Sequence, residues 1–153
     1  MRSDSRLWRI LHVLIHMERH DGRATSEVIA KMLTTHPVVV RRTMAGLKAR
    51  GYVTSDKGHG GGWRLVSKLE DITVLDIYQA LGEPAPFAIG PPPGGSDCPV
   101  EATVNAALDV VLQETEAALL ARLGGISLAD LSRAFDRRME TAARGAPTPE
   151  CDL

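Results

Sequence analysis

Three histidines, His12, His16 and His20, stand four residues apart. Imidazoles at that spacing share one face of a helix and can share a metal. No acidic or thiol ligand is paired with them in the sequence, so the expectation is a solvated helix face and no metal. A second chemistry lies in the neighbouring arginines Arg41 and Arg42, each able to bind guanine O6 and N7 through two parallel hydrogen bonds. The third is the run Lys57-Gly58-His59-Gly60-Gly61-Gly62. Glycine lets backbone approach a phosphate or enter a narrow groove, and Lys57 adds charge. A nucleotide-phosphate loop competes for this run, but it lacks Gly-Lys-Ser/Thr, and a strand-type segment, Trp63-Arg64-Leu65-Val66, follows it where a helix would be needed. The fourth is Cys98, at the start of a helical pattern. A helix amino end lowers a thiol pKa, which makes Cys98 a candidate redox sensor, while the adjoining Asp97 opposes the thiolate. No enzyme constellation accompanies these groups: there is no paired Ser and His motif, no His-Glu-x-x-His and no nucleotide fingerprint.

The elements that must hold these residues follow from periodicity. Leu7, Ile10, Leu11, Leu14 and Met17 recur at three- and four-residue steps and predict a helix over 5–19. Thr25 or Ser26 caps a short second helix carrying Val28, Ile29, Met32 and Leu33. After the turn Thr34-Thr35-His36, Pro37 opens a third helix that runs to about Arg50 and stops at Gly51. Val40, Met44 and Leu47 form its inward stripe, which leaves His36, Val38, Val39, Arg41, Arg42 and Ala45 facing out. Tyr52–Asp56 and Trp63–Val66 read as a hairpin with the glycine run at its tip. Thr73 caps a helix over 74–81. Breakers from Gly82 to Pro99 mark a connecting loop. A long helix over about 100–123 carries Val104, Leu108, Val111, Thr115 and Ala118 at coiled-coil spacing, with Leu112, Leu119 and Leu120 widening the apolar face. Gly124-Gly125 ends it, and Ser127 with Asp130 caps a last helix to about Arg144.

Helix, hairpin and basic tip in that order make a winged helix-turn-helix. The expected fold is mostly α with a small β-hairpin. The expected organisation is a DNA-binding domain over 1–81, a Pro/Gly-rich loop over 82–99, a helical dimerisation region over 100–144 and a disordered tail over 145–153. Charge agrees with a DNA reader. Residues 1–68 hold 13 Lys and Arg against 5 Asp and Glu, a net +8, whereas residues 69–153 carry a net −9. A basic half suits nucleic acid, and a separate acidic half suits interaction or sensing. No apolar run reaches the roughly 18–20 residues that span a bilayer. The start of the chain lacks signal-peptide character, and two distant cysteines, Cys98 and Cys151, suit a reducing cytoplasm rather than a disulfide scaffold. A winged-helix protein–protein module without DNA binding is the alternative, against which the basic half argues.

With these residues read, the chain resembles the Rrf2 family of bacterial transcriptional regulators. The resemblance rests on Pro37-Val38-Val39-Val40-Arg41-Arg42, Gly58-His59-Gly60-Gly61-Gly62-Trp63-Arg64-Leu65, Ile72–Tyr78, Cys98-Pro99-Val100 and Ile126–Leu131. It implies a homodimer whose long helices pack across a twofold and set two winged helices on one operator. From the helix faces read above, the expected interface residues are Val104, Leu108, Val111, Leu112 and Leu119, and the expected DNA contacts are His36, Val38, Val39, Arg41, Arg42, Lys57 and His59. Cluster-binding members carry three closely spaced cysteines before and into the long helix. Here Cys98 stands alone in that region, and one thiolate per subunit is too few for an iron–sulfur cluster. The expectation is therefore a cofactor-free regulator, a repressor of a palindromic operator in double-stranded DNA, with the effector unassigned.

Overall fold

The computed structural model describes residues 4–20, 23–56, 58, 61–91 and 98–143. Helix α1 (Arg6–Arg19) buries Leu7, Ile10, Val13, Leu14 and Met17 along one stripe. A two-residue strand, β1 (Arg23–Ala24), follows it. Helix α2 (Ser26–Met32) starts where the Thr25 hydroxyl accepts the Val28 N–H at 3.2 Å, satisfying a donor with no intrahelical partner. Helix α3 (Pro37–Ala49) is capped the same way by His36, whose Nδ1 accepts the Val38 N–H at 3.2 Å. Gly51, at φ +79°, turns the chain out of α3 through the left-handed region that a side chain disfavours.

The hairpin consists of β2 (Val53–Asp56) and β3 (Gly62–Leu65), antiparallel, with Val53 opposite Leu65 and Asp56 opposite Gly62. Strand β1 adds to the other edge of β3, so the sheet order is β1-β3-β2. Arg23 then faces Arg64, and Ala24 faces Trp63. The buried Trp63 indole donates to the Ser26 hydroxyl at 3.0 Å, which pins the sheet to α2 without leaving a buried donor unpaired.

A 3-10 turn (Leu69–Asp71) leads to α4 (Val74–Ala80). Its capping box is reciprocal: the Thr73 N–H donates to the Asp76 carboxylate at 2.7 Å, and the Asp76 N–H donates to the Thr73 hydroxyl at 3.1 Å. Helices α3 and α4 pack closely at Gly46, where a Cβ would collide with the Ala80 carbonyl oxygen. Helix α5 (Pro99–Gly124) contributes no fully buried residue, and Leu120 and Leu123 near its carboxyl end rest on the core.

Helix α6 (Leu128–Ala143) folds back on the first part of the chain. The Leu128 side chain is fully buried in the core that holds Ile10, Met44, Ile72 and Ile77. Its N–H donates to the Ile72 carbonyl at 2.8 Å, and the Val74 N–H donates to the Ile126 carbonyl at 2.9 Å. Farther along, the Arg19 guanidinium pairs with Asp136 at 2.6 Å and stacks 4.5 Å above the Phe135 ring. Among the described residues no helix is long and apolar enough to cross a membrane.

The start of α6 depends on Asp130. The Ser127 N–H donates to its carboxylate at 2.9 Å and the Ser127 hydroxyl at 2.8 Å, while Arg133 pairs with it at 2.6 Å. The Ser127 backbone first, then the Ser127 hydroxyl and Arg133, lower its pKa from 3.8 to about 2. A depressed carboxylate pKa stabilises the fold above the unfolded value, and that stability disappears as pH falls toward the folded one. Wild-type protein should therefore lose thermal stability between about pH 4 and pH 2 more steeply than Asp130→Asn, as measured by circular dichroism melts across that range.

Candidate nucleic-acid interface

The inward stripe of α3 fixes its outer face. Val40, Met44 and Leu47 are buried, so residues 38, 39, 41, 42 and 45 turn to solvent, and all five are exposed. Val38 and Val39 are large apolar side chains left half or more uncovered. His36 is exposed at the amino end, its Nδ1 committed to the cap. A ridge of small apolar groups and cations on a protruding helix suits a major groove, where methyls and guanine edges are presented side by side.

The two arginines differ in their neighbours. Arg41 pairs with Glu27 of α2 at 2.8 Å, both side chains being more than half exposed. Arg42 has no ion pair among the described residues and borders a cavity of 570 Å³ with Arg6, Val38, Val39 and Gly46. Arg42 thus keeps its guanidinium clear of any ion pair among the described residues, whereas a ligand of Arg41 would compete with Glu27. Lys57 and His59 lie outside the described residues. The flanks of the wing are described: Lys48 donates to the Ser55 hydroxyl at 2.7 Å and ties β2 to the end of α3.

The remaining candidates separate in space. Cys98 is exposed at the amino end of α5, where the backbone N–H groups of Glu101 and then Val100 hold its pKa below the ordinary thiol value. Val104, Leu108 and Val111 are each about half exposed, while Leu112 and Leu119 are partly covered. Val100 and Val110 are exposed too, so apolar residues surround the free part of α5 rather than forming one stripe. His12, His16 and His20 do form a column on α1, with successive ring centroids 4.6 and 6.2 Å apart. Burial, and then the charges of His12, His20 and Arg19, lower the His16 pKa. Among the described residues no group of three or more His, Cys, Asp or Glu is gathered to hold a metal ion.

Sequence reasoning overlooked Arg23 and Arg64 near the wing and read His20 only as part of the histidine column. Arg23, Arg64 and His20 line one cavity of 380 Å³ with Thr25, Asp56 and Trp63. Their signal was present in the sequence only as basic residues. What brings them together is β1, too short to show periodicity.

The family profile for Rrf2, described as iron-dependent transcriptional regulator, matches residues 4–134. A Bacillus subtilis protein named as a candidate HTH-type transcriptional regulator, YwnA, is 33% identical over 129 residues, covering 84% of this chain and 95% of YwnA. Among solved structures, a candidate DNA-binding protein superposes with a TM-score of 0.64 at 30% identity, covering 83% of this chain and 98% of that one. A candidate transcriptional regulator from Lactobacillus plantarum superposes with a TM-score of 0.72 at 21% identity, covering 92% and 99%; that likeness speaks to the winged-helix fold. The chain belongs to the Rrf2 family of transcriptional regulators, proteins that act on DNA.

The contrast between the arginines has a measurable consequence. Arg42→Ala should cost about 1–3 kcal/mol and relax preference at one position of a bound site, the mark of a base contact. Glu27→Gln, which releases Arg41 and removes a negative charge from the same surface, should strengthen binding to every sequence. Quantitative binding to a panel of single-substitution duplexes checks both; unchanged base preference without Arg42 would show that it grips phosphate only.

Proposed function

We propose that this Rrf2-family chain is a homodimeric repressor that reads a palindromic operator through α3 and the wing, without an iron–sulfur cluster. The observation that carries this reading is the outer face of α3. It combines uncovered Val38 and Val39 with Arg42 on a helix whose opposite side is locked into the core. An interaction module with no nucleic-acid partner has no use for a net +8 over its first 68 residues. Binding should be salt-sensitive, with log affinity falling against log salt by about 0.9 per phosphate contact. A titration of genomic fragments at several salt concentrations tests it, and absence of binding even at low salt would refute DNA reading.

Dimerisation is supported by α5. Val100 is 71% exposed, Leu108 52% and Val111 57%, a density of uncovered aliphatic surface that water disfavours. A helix apolar all round needs cover on more than one side. Two copies packed along this segment bury one another's valines and leucines and relate two α3 helices by a twofold, hence a palindromic site. Each aliphatic side chain so covered contributes about 1.5–3 kcal/mol when burial is complete. Light scattering should report a dimer for the wild type and monomer for Leu108→Glu, with the winged-helix core still folded because α5 sends no residue into it from this stretch.

The cluster-free reading rests on the donor set. The profile that matches is described as iron-dependent, yet the whole chain has two cysteines, Cys98 and Cys151. A cluster takes about four ligands per site, mostly thiolates. Protein purified without oxygen should be colourless, and metal analysis should find no stoichiometric iron. Repression rather than activation, and a cytoplasmic setting, belong to the same proposal; a reporter fused to a bound promoter, compared in cells with and without the gene, tests the sign.

A further inference from the structure

Arg23 and Arg64 face each other directly across the β1–β3 ladder. Directly opposed residues of an antiparallel pair project from the same face, and like charges there repel. Both side chains line the 380 Å³ cavity, and His20 joins them from the end of α1. Neither arginine has an ion pair among the described residues, although Asp56 borders the same cavity. The Arg64 Nε is shielded from solvent and has no hydrogen-bond partner among the described residues, which for a guanidinium N–H is a costly omission. Beneath His20 stands His16, stacked within 6° of parallel, its Nδ1 also buried without a partner among the described residues. Among the described residues, the titratable and charged groups around this spot are His16 and His20 at the end of α1, Arg19, which is paired with Asp136, Arg23 from β1, Arg64 from β3 and the carboxylate of Asp56 from β2. Among the described lining residues of the cavity, two guanidiniums stand against one carboxylate.

We propose that Arg23, Arg64 and His20 form an oxyanion site under the wing that takes a tetrahedral phosphate-type group. Two guanidinium-bearing side chains that line one cavity suit such a group, which accepts several hydrogen bonds at once. The site rests on the DNA-reading proposal only for one of its two sources: a backbone phosphate of bound DNA, reached beside the wing, or a free oxyanion. Charge, donor geometry and an empty partner at Nε are the same for both.

The experiment has two arms. In the first, thermal midpoints of the full chain are measured in inorganic phosphate and in chloride at matched ionic strength. A free oxyanion that binds only the folded state raises the midpoint with the logarithm of its concentration, and Arg23→Gln or Arg64→Gln should abolish that rise. In the second, DNA affinity is followed against salt. If the group is a backbone phosphate, each variant should flatten the log–log slope by about 0.9 while the ranking of DNA sequences is kept. Arg23 lies on an exposed edge strand, so Arg23→Gln carries the test even if Arg64→Gln weakens the fold by circular dichroism. Loss of either response in a folded variant supports the site and identifies its source. Folded variants that keep both the wild-type phosphate response and the wild-type slope overturn it. Wild-type protein that fails to bind DNA at all overturns the function proposed above, and the phosphate arm then decides this site alone.

Discussion

The exposed face of α3 depends on the rotation of that helix about its own axis. Three side chains set it: Val40, Met44 and Leu47, all inside the core. Fully burying each contributes about 1.5–3 kcal/mol. The surface pair Arg41–Glu27 contributes about 0–1 kcal/mol, screened further by salt. The apolar stripe therefore wins wherever the two compete, and the pair adjusts to it. Gly46 adds a steric condition. With the Ala80 carbonyl where a Cβ would stand, α3 can meet α4 this closely only at a glycine. The consequence reaches the exposed face: advancing α3 by one residue would turn Met44 out and put Arg41, Ala45 and Lys48 where Val40, Met44 and Leu47 now lie.

Helix α5 obeys the opposite constraint. Its carboxyl end is held by Leu120 and Leu123, and the turn after it is stitched to the 72–74 segment by backbone hydrogen bonds at 2.8 and 2.9 Å. Its amino-terminal stretch carries as much aliphatic surface and sends none of it into the core. One helix thus has a fixed root and an uncovered shaft.

Much of this is legible in the residues themselves. The stripe Val40–Met44–Leu47, the caps at Thr25 and Thr73 and the Ser127–Asp130 start of α6 follow from local rules, because each involves groups three or four residues apart. What local rules do not carry is partnership over distance. Arg41 and Arg42 are equivalent in the sequence and differ in the fold, because Glu27 comes from another helix. Arg19 reaches Ser132 and Asp136, more than a hundred residues away, and nothing in either helix's periodicity announces it. The same holds for β1: two residues have no period, yet they complete the sheet.

The split into a basic first half and an acidic second half is correct as arithmetic and incomplete as geometry. The acidic half does not sit apart: Asp136 of α6 neutralises Arg19 of α1, and Leu128 lies in the first half's core. Among the described residues, arginines without an ion pair include Arg42 on the outer face of α3 and Arg23 and Arg64 beside the wing. There the fold tolerates what it avoids elsewhere. Arg23 stands opposite Arg64, and a guanidinium N–H is shielded with no acceptor within reach among the described residues. Local choices that disagree with stability usually mark places where another requirement prevailed. A cross-strand pair of arginines in a three-stranded sheet is such a choice, and the requirement it answers is an anion.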